Sequence, residues 1–250
     1  MMEERQKLWR ARLMGDAETC VQKRHLYHTF IEGQSIVEKG TRITIRADVP
    51  RTFVGVDMDR EALETLLVSY AAVQRGDGYL QGFNYLMGTI LHVFYGTEEC
   101  MADTWWCFAR VVGLIRPMMP DFNVAWFHWC RRQWCSEFHI HMKKRRPLLN
   151  SILRQRQEEL SSLMTVRWFM VWFAQTVAFE ELPVLWDFII QQRPQQLMRV
   201  YTLLACAIVE EAATTISYEG GDDVAETIHA VLSLKIRGVA ELLNQVKKRL

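Results

Sequence analysis

Chain-breaking residues are scarce in this sequence. Its 250 residues hold 13 glycines and 6 prolines, whereas the two together make up roughly 12% of an average chain. That shortage argues against an architecture of many short strands and tight turns and favours long helices. A disulfide or zinc-ribbon framework is missing too. The six cysteines (Cys20, Cys100, Cys107, Cys130, Cys135 and Cys206) are scattered and form no C-x-x-C pair. They read as free thiols of a cytoplasmic chain. Charge of one sign is also lacking: 30 Lys and Arg face 29 Asp and Glu, for a net charge of +1. This balance removes the electrostatic case for nucleic acid as the main partner. Met1 to Lys7 contain no apolar run, so no secretory signal is read there. The longest apolar stretch, Leu163 to Phe179, is broken by Arg167 and Gln175. It is too short and too polar to span a bilayer and reads as a buried helix. No G-x-x-x-x-G-K-[ST] loop and no G-x-S-x-G elbow occurs, so the chain is read as having no nucleotide site of its own.

What is present is an ordinary globular composition, 50% hydrophobic and 24% charged, arranged with helical period. Met58, Ala62, Leu66, Tyr70 and Val73 fall on one stripe, with Asp57 or Asp59 available as its cap and Gly76 as its left-handed end. Asp103 can cap a helix that stops before Pro117, and Asp121 one that runs toward Pro147. Pro147 and Pro183 suit a first helical turn, where a missing N–H costs nothing. Pro194 closes the segment containing Trp186, and Gly220-Gly221-Asp222 reads as a turn. Val224, Ile228, Val231 and Leu232 form one further apolar face, and Val239, Leu242, Leu243, Val246 and Leu250 another. Period-2 alternation is confined to Thr41–Arg46. The expected fold class is all-α, with roughly ten helices or more. Residues 1–40 are read as a weakly patterned N-terminal extension with one helix around Glu3–Met14, and residues 41–250 as a single domain.

Two clusters invite chemistry and have plainer readings. His128, Cys130, Cys135, His139 and His141 include an i, i+4 pair, but the spacing is not that of a zinc knuckle and three tryptophans interleave. Core thiols on a partly buried helix are the expectation, with no metal. Lys143-Lys144-Arg145-Arg146 reads first as a solvated helix end, where cations complement the dipole, with a membrane or acidic-partner patch as the alternative. Gly76 to Gly82 misses the dinucleotide fingerprint by one residue and follows a helix instead of a strand. Glu158-Glu159 and Glu180-Glu181 are sequence neighbours, which do not face each other on a helix and make poor acid/base pairs.

Two segments stand apart. In Ile45-Arg46-Ala47-Asp48-Val49-Pro50-Arg51-Thr52-Phe53, Pro50 disfavours helix through Val49, so Arg51 is expected at a loop-to-helix junction. In Gly78-Tyr79-Leu80-Gln81-Gly82-Phe83-Asn84, glycines flank Gln81 and would let another chain's backbone approach it. On the residues alone, Arg51 can equally cap a helix or pair with a surface acid, and Gln81 can merely fill a turn.

These segments resemble the TBC family, the catalytic domains of Rab GTPase-activating proteins, whose pattern is I-x-x-D-x-x-R followed by Y-x-Q-G-M-N. Ile45, Asp48 and Arg51 match the first part, and Tyr79, Gln81, Gly82 and Asn84 the second. Ala102-Asp103-Thr104-Trp105-Trp106, Trp168-Phe169 and Trp186-Asp187 are similar to the family's structural motifs. Phe83 departs from the family's methionine, and the family's N-terminal tryptophan helix has only Trp9 as a counterpart.

The resemblance implies a multi-helix RabGAP-like domain that is not itself a hydrolase. It would supply an arginine finger, Arg51, and a glutamine finger, Gln81, in trans to a Rab-type small GTPase in its GTP form. A guanidinium is planar, permanently charged and matched to phosphate oxygens, while a carboxamide can accept from water and donate to phosphate at once. GTP and Mg²⁺ would be carried by the partner, with no cofactor of the chain's own. Asp48 would support the arginine loop, and Tyr79 would be either a packing anchor or a partner contact, with Gly82 and Asn84 supporting beside it. Trp168, Trp186 and Asp187 would be scaffold. The implied setting is vesicle trafficking, in the cytoplasm with recruitment to endomembranes through the GTPase. The alternative is a catalytically weak or inactive TBC scaffold that binds a GTPase or an adaptor.

Overall fold

The computed structural model describes residues 1–74, 78–116, 124–215, 231 and 233–250. The architecture is all-α. Among the described residues the one strand-like feature is an isolated parallel bridge between Val177 and Ile236. The chain divides into two compact units, Met1–Leu114 and Ile115–Leu250. Gly76, Pro117, Asp121, the Gly220-Gly221-Asp222 turn, Val224, Ile228 and Leu232 lie outside the described residues.

The first unit carries α1 (Met2–Trp9), α2 (Ala17–Leu26), α3 (Lys39–Asp48), α4 (Arg60–Gln74), α5 (Phe83–Phe94) and α6 (Cys100–Ile115). The sequence pattern shows only the first of the two N-terminal helices. α2 escapes it because Cys20 is its sole buried residue, leaving no apolar stripe to read. Asp16 caps α2, accepting from the Thr19 amide at 2.8 Å. Thr41–Arg46 is helical in α3, not extended; six residues of alternation are too few to hold a strand without a neighbour. Asp59, one of the two caps expected for α4, accepts from the Ala62 amide at 2.9 Å. α5 is apolar on nearly every face and buries Leu86, Met87, Ile90, Leu91, Val93 and Phe94, the pattern of a central core helix.

Asp103 ties the N-terminal helices into this unit. It is not a cap of α6: its carboxylate has 0% exposure and is shared by two guanidinium groups. Arg10 Nε donates to it at 2.6 Å, and Arg24 binds it in a fork at 2.7 and 2.8 Å. Around it, Trp9 packs edge-to-face on Phe94, Gln6 Nε2 donates to the Val93 carbonyl at 2.8 Å, and Trp106 Nε1 donates to the Lys23 carbonyl at 2.6 Å. A buried carboxylate is tolerable only with such pairing.

The second unit carries α7 (Val124–Arg145), α8 (Pro147–Arg154), α9 (Gln157–Met164), α10 (Leu182–Ile190), α11 (Leu197–Thr215) and a helix over Val239–Lys247. Pro147 and Pro183 occupy first-turn positions of α8 and α10. Leu163–Phe179 is not one buried helix. After α9 it widens into a π-turn, Thr165–Phe169, and then turns repeatedly. Trp172 and Phe173, both at 0% exposure, take positive φ values of 46° and 61°. Burial of these large rings, and the bond from Trp186 Nε1 to the Trp172 carbonyl at 3.1 Å, override a local helical preference. Trp168 and Trp186 are fully buried scaffold. In the basic run after residue 142, Lys143 and Lys144 are solvated, but Arg145 pairs with the buried Glu210, which Arg249 also holds. Glu181 accepts from the Gly238 and Val239 amides and so caps the Val239–Lys247 helix.

Two measurements test the first unit. Asp103→Asn leaves two guanidinium groups without their shared anion, and urea titration should show a loss of about 3 kcal/mol. His28 sits between two carboxylates, Nδ1 at 2.8 Å from Glu32 and Nε2 at 2.9 Å from Glu99. The Glu32 bond, and then the Glu99 bond, raise its pKa above the ordinary histidine value. A raised folded-state pKa gives stability that is complete below the unfolded value and fades as pH rises through the folded one. The melting-temperature gap between wild type and His28→Ala should therefore be widest in mildly acidic buffer and close above neutrality.

Candidate functional site

The arginine segment is a helix end, not a loop-to-helix junction. α3 runs to Asp48, Val49 stays in the right-handed helical region (φ −54°, ψ −49°), and Val49–Arg51 continue as a 3-10 turn. Pro50 cannot continue α-helical hydrogen bonding, because it has no N–H and its ring crowds the carbonyl four residues back. The tighter turn absorbs it and places Arg51 at the surface. Phe53 then takes a positive φ of 46°, anchored edge-to-face on Tyr85 at 5.2 Å.

The glutamine segment is a second turn, entering α5. Gly78 lies so close to α4 that a Cβ would sit 2.5 Å from Ala71 Cα. The expectation that this glycine admits another chain is therefore corrected: it admits the backbone of its own helix α4. Gly82 has φ 109° and begins α5 in the left-handed region, a conformation that side chains resist. Gln81 between them is exposed, while Gly82 and Asn84 are buried. Phe83, in place of methionine, is buried edge-to-face against Phe108 at 5.4 Å and against Tyr70 and Tyr79 at 6.2 Å each. A rigid ring wedges the base of this turn.

Buried polar groups join the two turns. The Asp48 side chain, 4% exposed, accepts from the Tyr79 hydroxyl at 2.7 Å and from an Arg51 Nη. Asn84 Nδ2 donates to Thr52 Oγ1 at 2.8 Å, and Asn84 Oδ1 accepts from the Gly82 amide at 3.1 Å. Thr52 Oγ1 in turn donates to the Asp48 carbonyl at 2.9 Å. Arg51 and Gln81 thus each stand one residue from the chain of bonds Thr52–Asn84–Gly82. Arg51 Nε also donates to the Ala47 carbonyl at 3.0 Å, and its side chain is 63% exposed. The residues expected at the site are brought together: Asp48, Tyr79, Gly82 and Asn84 form the bonded base, and Arg51 and Gln81 face solvent. Burial, followed by the bond to Asp48, raises the Tyr79 hydroxyl pKa, so it remains a donor. Half-buried, Tyr79 packs within its own chain on Phe83 and Asp48.

Sequence reasoning included Thr52 in the arginine segment without giving it a role, and passed over Arg60. Arg60, the first residue of α4, directs its guanidinium at the carbonyls of Val49, Thr52, Phe53 and Val56. Its one sequence-level signal is a cation at a helix N-terminus, where the dipole disfavours it.

The arrangement offers a cation and a carboxamide, both solvent-facing, on backbone held by buried bonds. That suits electrostatic stabilisation of something bound in trans. Among the described residues no group of three or more His, Cys, Asp or Glu is placed to hold a metal ion. In the candidate zinc cluster, the Cys130 side chain is outside the described residues. His139 Nδ1 lies 2.8 Å from Asn150 Oδ1, and burial raises the Cys135 thiol to about 11. Among the described residues no helix is long and apolar enough to cross a membrane.

Comparison with known proteins follows the same lines. The Rab-GTPase-TBC domain model matches residues 2–212. Growth hormone-regulated TBC protein 1 of Homo sapiens is 24% identical over 219 residues, 80% of this chain and 58% of that protein. Growth hormone-regulated TBC protein 6 of Caenorhabditis elegans is 22% identical over 212 residues, 75% of this chain and again 58% of the relative. This chain therefore spans less than two thirds of either relative. TBC1 domain family member 30 of Homo sapiens is 26% identical over 186 residues, 69% of this chain and 20% of that protein. The crystal structure of the Ypt/Rab-GAP domain of Gyp1p superposes with a TM-score of 0.76 at 14% identity, covering 98% of this chain and 86% of that one. That likeness is one of fold.

Tyr79→Phe tests the junction. It removes the one hydroxyl that reaches Asp48 from the glutamine segment, a charge-assisted bond worth about 1.5–3 kcal/mol. Denaturant unfolding should show a loss in that range, and an unchanged midpoint would mean that the bond does not hold the turns.

Proposed function

We propose that this chain, which belongs to the Rab-GTPase-TBC domain family, accelerates GTP hydrolysis by a Rab-type small GTPase, with Arg51 and Gln81 as the side chains it lends. Family membership supports a Rab-GAP role exercised on a partner. The observation that carries the finer reading is the pair of exposed side chains on two turns cross-linked by buried Asp48, Thr52 and Asn84 and half-buried Tyr79.

In this reading the guanidinium leaves Asp48 and enters the partner's nucleotide site. Asp48 is buried and, among the described residues, keeps only the Tyr79 hydroxyl when the guanidinium leaves, so the release has a real cost, which the gain of binding phosphate offsets. The arginine stabilises charge developing on the transferred phosphoryl group, and Gln81 orients the attacking water. GTP and Mg²⁺ are the partner's, and the chain contributes neither. Rabs sit on membranes, so the chain would meet its partner peripherally, in the service of vesicle trafficking.

A panel of GTP-loaded Rabs checks the reading. At least one should hydrolyse GTP faster with the wild-type chain. Arg51→Ala should remove most of that gain, since an arginine finger is worth about 10³–10⁵ in rate, and Gln81→Ala should also cut it deeply, with helical content retained in both. No acceleration across the panel at high protein concentration would end the proposal.

A further inference from the structure

We infer that Arg60 is a positioning residue for Arg51. The inference rests on the activator reading above for its catalytic consequence, and on geometry alone for the rest. Arg60 Nη1 donates to the Val49 carbonyl at 3.0 Å and to that of Thr52; Nη2 donates to the carbonyls of Phe53 and Val56 at 3.2 and 3.3 Å. One planar fork thus gathers four carbonyls from an eight-residue stretch, Val49 to Val56, that contains the finger.

Three observations set this apart from an ordinary surface arginine. Among the described residues no carboxylate pairs with it, so its charge is met by backbone dipoles and not by an anion. It stands at the first residue of α4, where the helix dipole opposes a cation, so helix stability does not account for its placement. The backbone it holds needs holding. A 3-10 turn around Pro50 runs into Phe53 at positive φ and Gly55 at φ 84°, a stretch with few repeating hydrogen bonds. A guanidinium presents five N–H donors in a fixed plane, while an ammonium is a point donor that cannot reproduce the fan. Thr52 donates its amide to the Val49 carbonyl, and Val56 donates its amide to the Phe53 carbonyl. Arg60 therefore binds the acceptors of the turn's own bonds and locks them from the other side.

The experiment combines single-turnover GTP hydrolysis with amide exchange. On a Rab that responds to wild type, Arg60→Met should lower the maximal rate by about 10- to 100-fold, the scale of a small misplacement of a reacting group. Affinity for the GTP-loaded Rab should not change, while affinity for the GDP–aluminium fluoride form should fall. Arg60→Lys should lie between. In an Arg51→Ala background, Arg60→Met should cost nothing more, because its effect runs through that side chain. In the free protein, the Thr52 and Val56 amides should exchange faster in Arg60→Met while amides within α5 keep their protection. An unchanged rate, an additive loss in the double variant, or unchanged exchange at Thr52 and Val56 would overturn the inference. Wild type inert toward every Rab would instead sink the activator reading and the rate claim with it, and the exchange arm then decides alone whether Arg60 holds the turn.

Discussion

The Asp48 carboxylate is the interaction on which the rest of the site depends. It is buried, yet touches the surface arginine with one oxygen and the Tyr79 hydroxyl with the other. A buried anion must be paired or it neutralises. Because its partners lie on two separate turns, satisfying it fixes both. Thr52 and Asn84 repeat the tie with neutral groups, so no single bond carries the whole geometry.

Position is thereby separated from reactivity. The bonded base has little exposure, and the two side chains above it face solvent. Arg51 rests on Asp48 and the Ala47 carbonyl in the free chain. Its backbone is settled by these bonds, so only side-chain torsions remain to be set. Electrostatic stabilisation works best where reorganisation has been done in advance, and an arginine on a wandering loop would lack that benefit.

Much of this was legible in the sequence, and the limits have physical causes. The all-α class followed from scarce glycine and proline and from helical periodicity in α4 and the Val239–Lys247 helix. The six candidate residues were marked by a two-part pattern shared with a family, whereas physics alone left Arg51 as an ordinary surface cation. α2 stayed hidden because it buries only Cys20. Pro50 misled because a 3-10 turn tolerates what an α-helix does not. Leu163–Phe179 misled because a uniform apolar run has no period to show that Trp172 and Phe173 turn left-handed. Gly78 was attributed to an outside chain, since sequence cannot say whose backbone approaches. Thr52 and Arg60 act through contacts set by folding, and no spacing announces them.

Cross-linking of the two turns also bears on how this molecule can change over generations. Asp48, Thr52, Tyr79 and Asn84 each satisfy a partner from another part of the set, so replacing one strands a buried donor or acceptor elsewhere. Lineages should therefore move through these positions in coordinated steps, with the replacement at one tolerated only beside a matching replacement at its mate. Ancestry would then be recorded less in any one of these four residues than in their pairings.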